Sequence, residues 1–197
     1  MLNKRKQMVE KMKVRLIYLA AGNSRRFGSN KLLYELEGRP LYRHLLDRLD
    51  SLCRRHVDWE VIVVTQYPQI YDEVRVGNIR AVFSPDSQKG VSYSIRAGLE
   101  AAADAQACAF FVADQPCFTE ESAEAFLENM ERNRAELGCV TCGDQTGNPV
   151  WFSRNYFPEL LELKEDHGGR KVLKKHPDQI LYFPILDAGE LQDVDTL

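Results

Sequence analysis

The residues Leu19-Ala20-Ala21-Gly22-Asn23-Ser24-Arg25-Arg26-Phe27-Gly28-Ser29-Asn30-Lys31 leave an apolar run through small side chains. They then present three cations within seven positions. Gly22 can bring a backbone amide against an anion or adopt a positive φ. Arginine suits bidentate phosphate contact, and lysine is a compact cation for developing negative charge. The alternative is a glycine turn with solvated cations. The loop matches neither GxGxxG nor GxxxxGK[ST], so the generic dinucleotide and P-loop readings are disfavoured.

A second group is Ala113-Asp114-Gln115-Pro116, which follows the apolar run Ala107–Val112. A carboxylate at the tip of a buried strand is placed to ligate Mg²⁺ over phosphates, or else to cap the turn before Pro116. Near the C-terminus, Asp193 and Asp195 share a face if extended, and either could complete a metal site. Ser84-Pro85 through Gly90 to Ser94 has turn composition leading into a helix. Its Ser92 and Ser94 hydroxyls can bond a base, ribose or phosphate, and Gly90 permits close approach of a flat ligand. His167-Gly168-Gly169-Arg170 is a flexible loop with one cation, able to close over a second phosphorylated substrate. No Ser-His-Asp arrangement or metal-spaced histidine set is readable.

These groups need a scaffold that gathers them. Apolar or β-branched runs at Val14–Leu19, Trp59–Thr65, Ile79–Phe83, Ala107–Val112, Gly138–Cys142, Pro149–Phe152 and Gln179–Pro184 read as strands. Helical spacing marks Pro40–Cys53, Gly90–Ala105 and Thr119–Asn133, with Pro40 in a first turn and Thr119 as a cap. Between Thr65 and Ile79 the chain reads as a helix or a turn. Strands that are apolar on both faces predict a three-layer α/β domain with a parallel or mixed sheet. The segment Gly143–Gly169 is expected to form loops or a small subdomain over the C-terminal strand ends, where ligands of open α/β sheets lie.

At 197 residues with a formal charge of -3, one domain is expected from 14 to 197 after an extension over 1 to 13, and a dedicated nucleic-acid binder is disfavoured. The extension holds four Lys and one Arg against one Glu. No long apolar stretch follows it, so neither a membrane span nor a signal peptide is expected, and a cytoplasmic location is. The five cysteines include a CxxC pair, Cys139 and Cys142, without a second ligand pair, so they read as reduced and incidental.

With these residues in view, the chain resembles nucleotidyltransferases that attach a nucleoside monophosphate to molybdopterin, most closely the cytidylyltransferase branch. Leu19 to Lys31 fits the family opening LAAGxSxRxGxxK at every fixed position, with Arg26 rather than Arg25 as the motif arginine. Pro85 to Leu99 resembles its nucleotide-recognition segment, and Ala113 to Pro116 its ADMP element, with Gln115 in place of Met. Gly147 to Phe152 resembles GxPVLF, Phe157 to Leu161 resembles FPELL, Asp166 to Arg170 resembles GDxGAR, and Asp193 to Thr196 resembles D[IV]DTP. Gly169 stands where the family has Ala, a change expected to matter little sterically. The usual Pro-Glu-Asp-Leu ending is absent.

The resemblance implies a Rossmann-like nucleotidyltransferase fold and Mg²⁺-dependent transfer of CMP from CTP to molybdopterin, with release of pyrophosphate. It implies nucleotide contacts at Leu19, Ala20, Ala21, Gly22, Ser24, Arg26, Lys31, Ser84, Pro85, Gly90 and Ser94. Arg26, Lys31 and Asp114 would be catalytic, with Asp114 and Asp195 as metal ligands. Asn148, Pro149, His167, Gly168, Gly169 and Arg170 would face the acceptor. Ala21 resembles the cytidylyl branch, where guanylyl-transferring relatives carry Gly. A transient contact with a molybdenum hydroxylase or an insertion chaperone is also implied. Two other expectations remain open: transfer to another phosphorylated acceptor, and a non-catalytic nucleotide-binding protein that delivers cofactor.

Overall fold

The computed structural model describes residues 12–23, 30–77 and 79–194. Its framework is a seven-stranded sheet built from β1 (Val14–Leu19), β4 (Trp59–Thr65), β5 (Arg80–Phe83), β6 (Ala107–Val112), β7 (Leu137–Cys142), β8 (Gln145–Ser153) and β9 (Ile180–Pro184). The spatial order is β5-β4-β1-β6-β8-β7-β9, and every pairing is parallel except those of β8. A two-stranded ribbon, β2 (Glu35–Leu36) with β3 (Arg39–Pro40), stands apart.

Alternation along the central strands sends side chains into two separate cores. Leu16, Tyr18, Val61, Val63, Ala109 and Phe111 face one layer; Ile17, Ile62, Val64, Cys108 and Phe110 face the other. Helices α1 (Leu41–Arg55), α2 (Pro68–Val76) and α4 (Glu120–Arg132) cover the first face. Helix α3 (Val91–Ala101) and the short α5 (Phe157–Leu161) and α6 (Arg170–Leu173) cover the second. The expected three-layer α/β arrangement is therefore present.

Local chemistry explains where these elements start and stop. In α1, Leu41, Leu45, Leu46, Leu49 and Leu52 recur on one face and are buried against β1 and β4; truncating one to Ala would cost roughly 2–5 kcal/mol. Thr119 caps α4 by accepting from the Ser122 amide at 3.1 Å. Helix α3 ends at Ala101, short of the expected Ala105. The register Val14↔Ala107 and the bond from Gln106 N to Lys13 O (2.9 Å) require the chain to turn before β6. Between Thr65 and Ile79 the chain forms α2, with Pro68 in its first turn and Ile70 and Val74 one turn apart and buried.

The reading of Gly143–Gly169 needs correction. Gly143, at φ 57, turns the chain so that Gln145–Ser153 returns as a nine-residue strand inserted between β6 and β7. Only the residues beyond it lie over the second face. The CxxC pair is explained by the same alternation: Cys139 enters one core and Cys142 packs against the other.

Candidate functional site

Because β1 and β6 are parallel neighbours in the register Leu19↔Val112, their C-terminal loops emerge side by side. One loop carries Ala21-Gly22-Asn23 and the other Ala113-Asp114-Gln115. Lys31, in a 3₁₀ turn capped by Asn30, reaches across to close the edge. Its Nζ donates to Asp114 Oδ2 at 2.8 Å and to the Val194 carbonyl at 3.0 Å. Both side chains are mostly enclosed, at 12% and 25% exposure, so solvent screens this pair less than a surface one. Beneath them Tyr18 is buried and donates to the Tyr42 carbonyl at 2.8 Å. Burial, then the neighbouring Asp114 charge, raises its phenol well above the usual range, so it stays protonated.

The C-terminal segment is laced onto this edge. Val194 N donates to Asp114 O at 2.9 Å. Gln115, buried at the position where the family pattern has Met, donates to Asp193 Oδ1 at 2.8 Å and to Leu191 O at 3.2 Å. Glu190 accepts from Thr119 N, Thr119 Oγ1 and Ser122 Oγ at 2.8–2.9 Å, tying the segment to the start of α4. On the other side, Arg48 of α1 donates to the carbonyls of Pro116 and Phe118 at 2.6 and 2.9 Å and holds the loop after Asp114. No sequence motif marked Glu190 or Arg48, and the motif that contains Gln115 did not show its role, because each acts through a residue distant in the chain.

A cavity of about 180 Å³ opens above these groups, lined among others by Ala21, Gly22, Lys31, Ser87, Gly90, Ser94 and Asp114. Its floor loop is fixed by Gln66 donating to Ala21 O at 2.7 Å and Tyr67 donating to Gly22 O at 2.5 Å. Along one wall three buried hydroxyls form a chain, Ser94 to Ser87 at 2.8 Å and Ser87 to Ser84 at 2.9 Å. A second cavity, about 260 Å³, adjoins the first through Leu19, Val91, Val112 and Asp166. Its remaining wall includes Asn148, Gly168, Gly169 and Arg170. Arg170 also donates to the Thr146 carbonyl at 3.1 Å. Asp166 borders both cavities, a position sequence spacing could not reveal.

Several expected residues sit differently. Ala20 is buried in the first core with its amide donated to Val64 O, so it supports the loop without lining the cavity. Ser84 reaches the cavity only through Ser87, and Pro85 lies outside the lining. Gly90 lines the first cavity with φ 139, and a Cβ there would stand 2.3 Å from the Glu165 carbonyl, so a close approach of the chain's own backbone also requires the glycine. Ser92 N completes that contact with Glu165 O at 3.1 Å. Pro149, in a cis peptide, is buried beside Asn148. The His167 ring donates from Nδ1 to the Lys164 carbonyl at 2.9 Å and does not line the second cavity. At Gly169 an added Cβ would meet the Phe152 ring at 2.9 Å, so the Gly is a steric fit against Phe152, contrary to expectation. Ser24, Arg25, Arg26 and Asp195 lie outside the described residues.

Elsewhere among the described residues, His56, Glu124 and Glu128 bring three ligand-type atoms together. That group is already committed: His56 stacks on Trp59 and bonds Glu124 at 2.7 Å, and Arg55 pairs with Glu124 and Glu120. No described helix is long and apolar enough to cross a membrane.

With this geometry in place, comparisons with known proteins are informative. Residues 16–180 match the model of the MobA-like NTP transferase domain. The purine catabolism protein PucB of Bacillus subtilis is 29% identical over 91% of this chain and 90% of its own length. A probable molybdenum cofactor guanylyltransferase of Pyrococcus horikoshii is 40% identical, over 37% of this chain and 42% of that protein. Among solved structures, Rv0371c of Mycobacterium tuberculosis superposes with a TM-score of 0.77 at 22% identity, covering 95% of each chain. A nucleotidyl transferase of Methanothermobacter follows with a TM-score of 0.75 at 18% identity, covering 95% of this chain and 93% of that one.

Proposed function

This chain belongs to the MobA-like NTP transferase domain family, and from that premise we propose that it transfers CMP from CTP to molybdopterin. The observation that carries a two-substrate transfer is the pair of adjoining cavities with Lys31 and Asp114 at the edge of the first. In this reading a phosphate oxygen of the acceptor attacks the α-phosphorus of the nucleotide, and the bond to the β-phosphate oxygen breaks to release pyrophosphate. The nucleophile is already ionised. It needs no general base, in keeping with Tyr18 being held protonated.

The loop amides near Gly22 and the Lys31 ammonium would bind the triphosphate and offset charge developing on the transferred phosphoryl group. Arg26 would join them. Ser94, backed by Ser87, would meet the base. Asn148 and the 168–170 loop would hold the acceptor with its phosphate toward the first cavity.

The donor chemistry at the strand edge fits a divalent cation: a hard carboxylate oxygen on Asp114, partly enclosed and facing the cavity. When bound, Mg²⁺ would neutralise phosphate charge and orient the triphosphate. Asp114 would hold it, with Asp195 as the proposed second ligand and Asp193 kept in position by Gln115. The support for a molybdopterin acceptor is the resemblance in sequence and the names of the Pyrococcus relative and of a second one, a probable molybdenum cofactor guanylyltransferase of Thermococcus sibiricus that is 30% identical over 34% of this chain and 39% of its own length. Those relatives are named guanylyltransferases, so GTP is the alternative donor; Ala21, buried at the cavity wall, is the residue that favours CTP. A product of this kind would be handed to a molybdenum hydroxylase or its insertion chaperone.

The test is purified protein with Mg²⁺, molybdopterin and each of CTP, GTP, ATP and UTP, read by pyrophosphate release and product mass. CTP is expected to exceed the others. Release that is fastest with GTP would reassign the donor, and nucleotide binding without release would favour a cofactor-delivery role.

A further inference from the structure

A third cavity, of about 230 Å³, lies under α6 against β7, β8 and β9 and meets the second one at Val150 and Arg170. Its interior is apolar: Val150, Leu173 and Cys139 are buried there. The Cys139 thiol, pushed up to about 11 by burial, stays neutral at pH 7. Its rim is cationic. Arg170, the first residue of α6, and Lys174, its C-cap, stand one turn apart at the cavity rim, with Tyr182 half exposed across from them. Like charges at that spacing repel. Some surface cations are matched, as Lys175 is by Glu159 and Arg39 by Asp47. Among the described residues, no carboxylate lies within ion-pair distance of Arg170 or Lys174. An unmatched cation pair over an apolar pocket is suited to a ligand with an apolar planar body and an anionic group at its edge.

We propose that this third cavity is the distal compartment of the acceptor site, taking the planar ring of the acceptor with a second anionic group held between Arg170 and Lys174. The acceptor phosphate then lies in the second cavity, toward Asp114, and the ring lies beyond Arg170. The identity of the ligand rests on the transferase reading above; the existence of the compartment does not. A polyol phosphate fits poorly, because the interior offers its hydroxyls few partners beyond Thr146 and Tyr182.

The probe is pterin-6-carboxylate, a fluorescent planar anion, titrated with the full chain and read by quenching. Lys174→Glu is expected to weaken binding tenfold or more. Lys171→Glu makes the same charge change on an exposed residue outside the cavity and should leave binding unchanged. Saturating CTP should not displace the probe. In the transferase assay Lys174→Glu should raise the KM for molybdopterin while the KM for CTP stays constant. Equal weakening by the two variants, displacement by CTP, or no binding to the unsubstituted protein at millimolar probe would each overturn the compartment. Absence of pyrophosphate release together with Lys174-dependent probe binding would overturn the transferase reading and leave the compartment standing.

Discussion

The two ends of the cleft are built on different principles. On the proposed nucleotide side, Gly22 and Asp114 lie within three residues of the ends of two parallel strands covered on both faces, and the register Leu19↔Val112 sets their separation. On the proposed acceptor side, Gly168, Gly169 and Arg170 come from a loop and the start of a four-residue helix. These are held by Gly90 against Glu165 and by Gly169 against Phe152. The first arrangement is stiff and suits groups that must meet a transferring phosphoryl with little tolerance. The second depends on backbone packing between segments and suits recognition of one substrate body among several.

On that contrast, Asp114→Asn should have the largest effect. It should lower turnover about a hundredfold or more, the scale of losing one electrostatic contact to a phosphoryl transition state, with the melting temperature nearly unchanged. Arg170→Ala should instead raise the acceptor KM at nearly constant kcat. An equal fall in kcat for both would erase the distinction between the two sides.

Gly90→Ala tests the joint between them. The Cβ would meet Glu165 backbone atoms at 2.3 Å in a conformation unfavourable to L residues, so it should cost roughly 1–3 kcal/mol and raise both substrate KM values. Gly168→Ala, whose nearest neighbour is Val91 Cγ1 at 3.7 Å, should be nearly neutral in thermal melts.

Glu190→Ala removes three bonds to the start of α4 and should destabilise by about 1–3 kcal/mol. Because Glu190 also anchors the segment reaching Val194 O and Lys31, turnover should fall with it while the acceptor KM stays constant. Ser87→Ala breaks the hydroxyl chain behind Ser94. It should narrow the preference among nucleotides, measured as the ratio of kcat/KM for CTP over UTP, more than it lowers stability.

The smallest effect is remote from both sides. The hydrogen bond from His56, followed by the Arg55 charge against some desolvation, lowers the pKa of Glu124 below 4.5. Its contribution is therefore present above pH 4.5 and lost as pH falls through the lower folded value. Glu124→Gln should cost under about 1 kcal/mol at pH 7, and melting curves of the two proteins should converge in acid.

The same contrast governs what could be read in advance. Strands β1, β4 and β6 begin and end where their apolar runs do, because a strand covered on both faces is built mainly from apolar residues; the charged Arg15 and Glu60 near the starts of β1 and β4 pair with each other. β8 was legible only at Pro149–Phe152: its first half, Gln145–Asn148, is polar, so the two-residue Gly143-Asp144 turn that joins it to β7 had no apolar strand after it to mark a hairpin. Helices α5 and α6 are too short for periodicity to show.

The amino-acid sequence by itself determined the layered fold, the two strand-end loops and the residue types they present, since these follow from local patterning and parallel pairing. Tertiary structure alone decided that Lys31 meets Asp114, that Gln115 and Glu190 fasten the C-terminal segment, and that Gly90 packs against Glu165. Each of those contacts joins residues more than seventy positions apart, and chain distance carries no record of such neighbours.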